Sequence, residues 1–119
     1  MVGLMQVDLI IPARNEESNI DALFAALPRR NLRRVIVVDN GSTDRTAELA
    51  QKKGAMVVHA PTPGYGNACL AGLTWIDLQP GGPPGAVAFL DAALSDDPTE
   101  LPRLIEPIAL GEADLVIGS

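Results

Sequence analysis

A chain of 119 residues that is 47% hydrophobic and 20% charged, with 11 Gly and 10 Pro, has the composition of a soluble globular protein and the length of one domain at most. Its net charge of -6 and pI near 4.5 argue against nucleic acid as a partner, because affinity for a phosphate backbone needs clustered Lys and Arg that release counterions. The lone cysteine, Cys69, excludes an internal disulfide, and no apolar run reaches the roughly 18 residues of a membrane span, so the expected location is cytoplasmic.

Aromatic residues make up only 3% of the chain, which leaves Val, Ile, Leu and Ala to fill the core, as in a parallel sheet covered by helices on both faces. The first such run, Val7-Asp8-Leu9-Ile10-Ile11-Pro12, reads as a strand ended by a proline that has no N–H for a continuing ladder. Asn15 can then cap a helix with Glu16 and Glu17 in its first turn, and Ile20, Leu23, Phe24 and Leu27 recur at helical spacing before Pro28. Arg34 to Asp39 is a nearly continuous β-branched run, the pattern of a central strand.

Asn40-Gly41-Ser42-Thr43-Asp44 supplies a turn and several possible caps before a helix from Thr46 to Lys53, which Gly54 can end. Met56 to His59 reads as a third strand. A loop at Gly64-Tyr65-Gly66 leads into a helix from Asn67 to Leu78, and Pro80 to Gly85 breaks the chain before a fourth strand, Ala86 to Leu90, that ends at Asp91. Asp97-Pro98-Thr99-Glu100 carries the signature of a helix start, Pro107 should kink or divide that helix, and Asp114 to Gly118 reads as a fifth strand. Strands alternating with helices imply a parallel sheet with right-handed crossovers, whose ligands sit beyond the carboxyl ends of the strands.

The residues at those ends resemble family 2 glycosyltransferases: Ile11-Pro12-Ala13-Arg14-Asn15-Glu16, then Val38-Asp39-Asn40-Gly41-Ser42-Thr43-Asp44, then Gly64-Tyr65-Gly66-Asn67-Ala68, then Phe89-Leu90-Asp91. The resemblance covers essentially the whole chain and is strongest to the branch of dolichyl-phosphate mannose synthases and bacterial polyprenyl-phosphate sugar transferases. It implies a GT-A-type fold, Rossmann-like with three α/β/α layers and a mostly parallel sheet, here incomplete. The nucleotide-binding set that it implies is Pro12, Ala13, Asn15, Glu16, Asp39, Gly41, Gly66 and Asp91. Glu16 would lie near ribose or base, and Asp39 would accept from a ring N–H of uracil or guanine. Asp44 divides evenly between a role in the site and a plain helix cap.

The family pattern at Asp91-Ala92-Ala93 is an aspartate, any residue, then a second aspartate, beside the donor's diphosphate and a Mg²⁺ or Mn²⁺ ion. Ala93 has no ligand oxygen, which leaves Asp91 as the expected metal residue and implies weaker metal binding. His59, with no partner carboxylate at readable spacing, is assigned no catalytic role. Trp75 is expected in the core, and Arg29, Arg30, Arg33 and Arg34 as a solvated basic face that an anionic membrane surface could meet.

By resemblance, the reaction is an inverting displacement in which an acceptor, a polyprenyl phosphate at the cytoplasmic membrane face being one, attacks the anomeric carbon of a UDP- or GDP-linked sugar. The acceptor-side region would follow the strand at Asp114 to Gly118, and the sequence ends at Ser119. The expectation is therefore a single donor-binding domain over residues 1–119 with weak or absent transfer activity alone. A non-catalytic nucleotide-sugar-binding module and a truncated remnant are the alternatives.

Overall fold

The computed structural model describes residues 6–27, 32–82, 84–90 and 92, together with the strands at 108–109 and 116–118. Four apolar runs form the strands expected of them: β1 (Val7–Ala13), β2 (Leu32–Asp39), β3 (Met56–His59) and β4 (Ala86–Leu90). Between them lie α1 (Ile20–Ala26), α2 (Thr46–Lys52) and α3 (Tyr65–Asp77). The sheet runs in the order β3-β2-β1-β4, with all three pairings parallel. Two short strands share the outer edge of β4: β5 (Ile108–Ala109) pairs antiparallel with Ala86 and Val87, and β6 (Val116–Gly118) pairs parallel with Ala88 to Leu90.

Strand periodicity sorts the core into two layers. Val7, Leu9, Ile11 and Ala13 of β1 meet Ile20, Leu23 and Phe24 of α1 and Ala50 of α2 on one face. Ile10 joins Ile36, Val38, Val87 and Phe89 on the other, against Ala68 and Ile76 of α3. The result is the three-layer α/β/α arrangement with a mostly parallel sheet. Each fully buried Ile or Leu contributes on the order of 2 kcal/mol, so β1, buried along its whole length, is the principal apolar column.

Several local features differ from the sequence expectation. Strand β1 continues through Pro12 to Ala13, paired with Val38 and Asp39. The Ala13 carbonyl accepts the Asn40 N–H, so by alternation Pro12 faces β4, beyond the last pair on that side, Ile10 with Phe89. Its missing donor therefore costs the β2 ladder nothing. Helix α1 begins at Ile20 rather than after Asn15, which lies at φ +54°. Helix α3 begins two residues before the expected start, because Gly64 at φ +122° makes the break and Gly66 lies in the first turn. The helix expected from Asp97 lies outside the described residues, and β5 follows Pro107 directly.

Arg33 and Arg34 do not form a solvated face. A register shift in β2 opposite Val7 and Asp8 brings both toward the fully buried Asp8, as an extra residue in a ladder re-aims side chains. Arg33 Nη2 and Nε donate to Asp8 at 2.9 and 3.1 Å, and Arg34 Nη1 donates at 3.5 Å. Both arginines also reach the α3–β4 connection, through the carbonyls of Gly82 and Pro80. The pairing neutralises a buried carboxylate and ties that connection to the amino end of the sheet. Arg29 and Arg30 lie outside the described residues. Among those described, no helix is long and apolar enough to cross a membrane.

Candidate functional site

Parallel strands in register end together, which sets Ala13, Asp39 and His59 side by side at the carboxyl edge of the sheet. The loops that follow β1 and β2 leave this edge together and are laced to each other. The Asn15 N–H donates to Ser42 Oγ (2.9 Å), and Asn15 Oδ1 accepts from the Thr43 N–H (2.8 Å). The Glu16 N–H donates to Thr46 Oγ1 (2.9 Å), and the Glu17 N–H to Asp44 Oδ2 (3.2 Å). The Arg45 N–H closes the lacing on Glu17 Oε1 (3.4 Å). Backbone donors of the two loops, which no helix or strand ladder would pair, are thereby satisfied.

Asp44 has a double role in this lacing. Its Oδ1 caps α2 by accepting from the Thr46 N–H (2.9 Å), and it also accepts from the Thr46 hydroxyl. Partial burial disfavours its charge, but the bonds from the Thr46 hydroxyl and from the N–H groups of Thr46 and Glu17 outweigh it. The carboxyl is held below the usual aspartate value.

Asn40, which the sequence reading treated as a turn residue, is the buried strut of the edge. Its N–H meets the Ala13 carbonyl, its amide donates to the carbonyls of Ala60 and Thr62 at 2.9 Å each, and its Oδ1 accepts from Gly64 at 3.0 Å. One residue, by side chain and backbone, thus fixes the β3–α3 loop against the ends of β1 and β2. A fully bonded buried amide carries that role without strain.

Pro12, Ala13, Arg14, Glu16, Asn40 and Tyr65 line a pocket of about 170 Å³ at this edge. Pro12, Ala13 and Glu16 were expected there from sequence. Glu16 is held by Asn19, whose amide donates to Glu16 Oε1 at 2.7 Å. Asn15 turns into the loop lacing. Asp39 is 8% exposed beside Asn40; its Oδ1 accepts the Ser42 N–H at 2.9 Å, and its Oδ2 lies 3.5 Å from His59 Nδ1. His59 therefore has the partner carboxylate that sequence spacing did not disclose. Gly41 turns the chain at φ +88°, and Gly66, in α3, has open space around it.

Arg14 and Tyr65 also line the pocket; both belong to the strand-end motifs, but neither is among the nucleotide-binding residues that the resemblance implies. Two larger hollows flank α3, the second lined in part by Asn67. One, of about 480 Å³, flanks the end of α3 near Gly82 and Pro84, and one, of about 490 Å³, runs between α3 and β3. Asp91 and Ala93 lie outside the described residues. Among those described, no three His, Cys, Asp or Glu side chains gather as a cation site.

Residues 8–119 match the family model described as "Glycosyl transferase family 2". An uncharacterized glycosyltransferase of Mycobacterium tuberculosis is 42% identical over 112 residues, 94% of this chain and 47% of that one. A dolichol-phosphate mannosyltransferase of Pyrococcus furiosus is 34% identical over 124 residues, 97% of this chain and 33% of that one. Among solved structures, glucosyl-3-phosphoglycerate synthase of Mycobacterium tuberculosis in complex with Mn²⁺, UDP and glucosyl-3-phosphoglycerate superposes with a TM-score of 0.66. It is 27% identical, and the match covers 84% of this chain and 38% of that one. The chain spans about half the length of the first curated relatives it matches.

Proposed function

Because the chain belongs to glycosyl transferase family 2 and has its GT-A-type fold, we propose that residues 1–119 act as the donor-binding domain of a transferase that uses a nucleoside-diphosphate sugar. The observation that carries this reading is the pocket of Pro12, Ala13, Arg14, Glu16, Asn40 and Tyr65 next to buried Asp39, at the carboxyl edge of a parallel sheet. Its volume suits part of a nucleotide, the base or the ribose with one phosphate, rather than a whole donor.

In this reading Asp39 keeps Oδ1 on the Ser42 N–H and offers Oδ2 to a base N–H, from uracil or guanine. Glu16, oriented by Asn19, offers its remaining oxygen to a ribose hydroxyl. The loops carrying Gly41 and Gly66 flank the nucleotide. A divalent ion, Mg²⁺ or Mn²⁺, would be held at Asp91 and would neutralise charge on the leaving diphosphate. Ala93 adds no oxygen there. Support for a diphosphate donor comes from the solved relative that holds UDP and Mn²⁺. Support for a polyprenyl-phosphate acceptor comes from the relatives named as dolichol-phosphate and undecaprenyl-phosphate transferases.

Calorimetric titration with UDP and with GDP, each with and without Mn²⁺, tests the proposal. Saturable binding of one nucleotide is the expected result, and a folded chain that binds neither would overturn it. Ala93 favours a second reading, a module that binds the nucleotide sugar without catalysing transfer. Under that reading an Ala93→Asp substitution raises neither metal affinity nor donor turnover.

A further inference from the structure

Six arginines and lysines lie among the described residues, and five of them are neutralised. Arg33 and Arg34 pair with Asp8, Arg45 and Lys52 with Glu48, and Lys53 with Asp21. Arg14 alone in this set forms no ion pair with another described residue, and it is the cation in the lining of the pocket at the ligand edge. Glu16 shares the pocket without pairing with the guanidinium, and its Oε1 is held by Asn19. In a chain of net charge -6, a guanidinium without a carboxylate partner among the described residues is the feature of this edge that favours an anion over the surrounding repulsion.

We propose that Arg14 binds the diphosphate of the donor and supplies part of the neutralisation that an ion held by two aspartates would otherwise provide. The inference rests on the donor-pocket reading above. Its chemistry is the fit of a planar guanidinium to paired phosphate oxygens, which a nucleoside lacking phosphate cannot exploit. Position 14 follows directly on β1, whose end is fixed by Asn40, so the stem of the side chain leaves from a rigid point. Donor affinity should then persist without divalent ions, with a salt dependence that Arg14 sets.

The test is an NMR titration in EDTA of the wild type, Arg14→Gln and Arg14→Lys with uridine and UDP, and with guanosine and GDP, at two salt concentrations. Arg14→Gln should weaken the diphosphate that binds by about tenfold, the size of one charge-assisted contact, and leave its nucleoside within about twofold. Arg14→Lys should fall between, and the salt dependence should shrink in Arg14→Gln. Equal losses for nucleoside and diphosphate, or no loss for either, would overturn the assignment while leaving the donor pocket intact. A folded wild type that binds none of the four would overturn both. Because Arg14 is exposed, unchanged melting temperatures check that the variants remain folded.

Discussion

Asn15 accepts the Thr43 backbone N–H at 2.8 Å while its own backbone sits at φ +54°. The same Oδ1 also accepts from the Thr43 hydroxyl at 3.3 Å. A left-handed conformation suits glycine, and asparagine tolerates it when its side chain finds local bonds. The geometry explains an asparagine here: it spans two loops while bearing a conformation that most residues resist.

Substituting Asn15 separates those two contributions. Asn15→Gly loses the side-chain bonds but keeps the backbone relaxed, and should cost roughly 1 kcal/mol. Asn15→Ala loses the bonds and strains the backbone, and should cost roughly 2 kcal/mol. Urea denaturation of both variants measures the difference. Equal losses would mean that the left-handed backbone contributes nothing and that the bonds to Thr43 carry the whole effect.

Asp39 offers a sharper test of base recognition. Asp39→Asn keeps an oxygen for the Ser42 N–H, so the turn that follows β2 should survive with little change in melting temperature. The other oxygen becomes an amide donor, which meets a base N–H donor to donor. Nucleotide affinity should fall about tenfold or more. If calorimetry finds affinity unchanged, Asp39 is only the cap of its turn.

Much of this arrangement was legible in the sequence, and what was not shares a physical cause. Val35 to Val38 within β2 and the whole of β4 are unbroken apolar runs, so local pattern alone marks them as strands covered on both faces. The position of Pro12, Ala13 and Glu16 at the carboxyl edge of the sheet was readable because they sit in a motif at a strand end. The approach of His59 to Asp39 depends on parallel register between residues 20 positions apart, and the ion pairs of Asp8 with Arg33 and Arg34 on a register shift; neither leaves a trace in local spacing. Asn15 misled because an asparagine before two glutamates is the pattern of a helix cap, whereas its partners lie 27 and 28 residues away. Two residues, as in β5, are too few for any periodicity.

The close approach of α3 to the sheet makes another prediction. A Cβ on Gly72 would stand 2.8 Å from Ile10 Cγ2 and 3.0 Å from its Cδ1, and Ile10 is fully buried and β-branched. Overpacking of this kind costs about 1–3 kcal/mol, against about 1 kcal/mol gained by replacing a helical glycine. Gly72→Ala should therefore destabilise the wild type modestly. In an Ile10→Ala background, where the obstructing atoms are gone, the same change should stabilise. A double-mutant cycle by denaturant unfolding reads that reversal of sign, and additive effects would mean that α3 can shift away at no cost.

Asp44 links the loop lacing to pH. Its folded-state carboxyl lies below the usual aspartate value, in spite of partial burial, because the Thr46 hydroxyl and the backbone N–H groups of Thr46 and Glu17 favour the charged form. A lowered folded value means that the unfolded chain takes up the proton first. The stabilisation is thus complete above the unfolded value of 3.8 and is lost as pH falls through the lower folded value. Asp44→Asn keeps an oxygen for Thr46 but turns an amide donor toward the Glu17 N–H, so it should melt lower than the wild type at pH 7. The gap should narrow steadily below about pH 4, where wild-type Asp44 becomes protonated as well. Exposed Glu48, drawn down to about 2 by Arg45 and Lys52, is present in both proteins and cancels from the difference. Melting curves of the two proteins from pH 2.5 to 7 test the linkage, and a gap that stays constant across that range would show that the charge of Asp44 does not hold the two loops together.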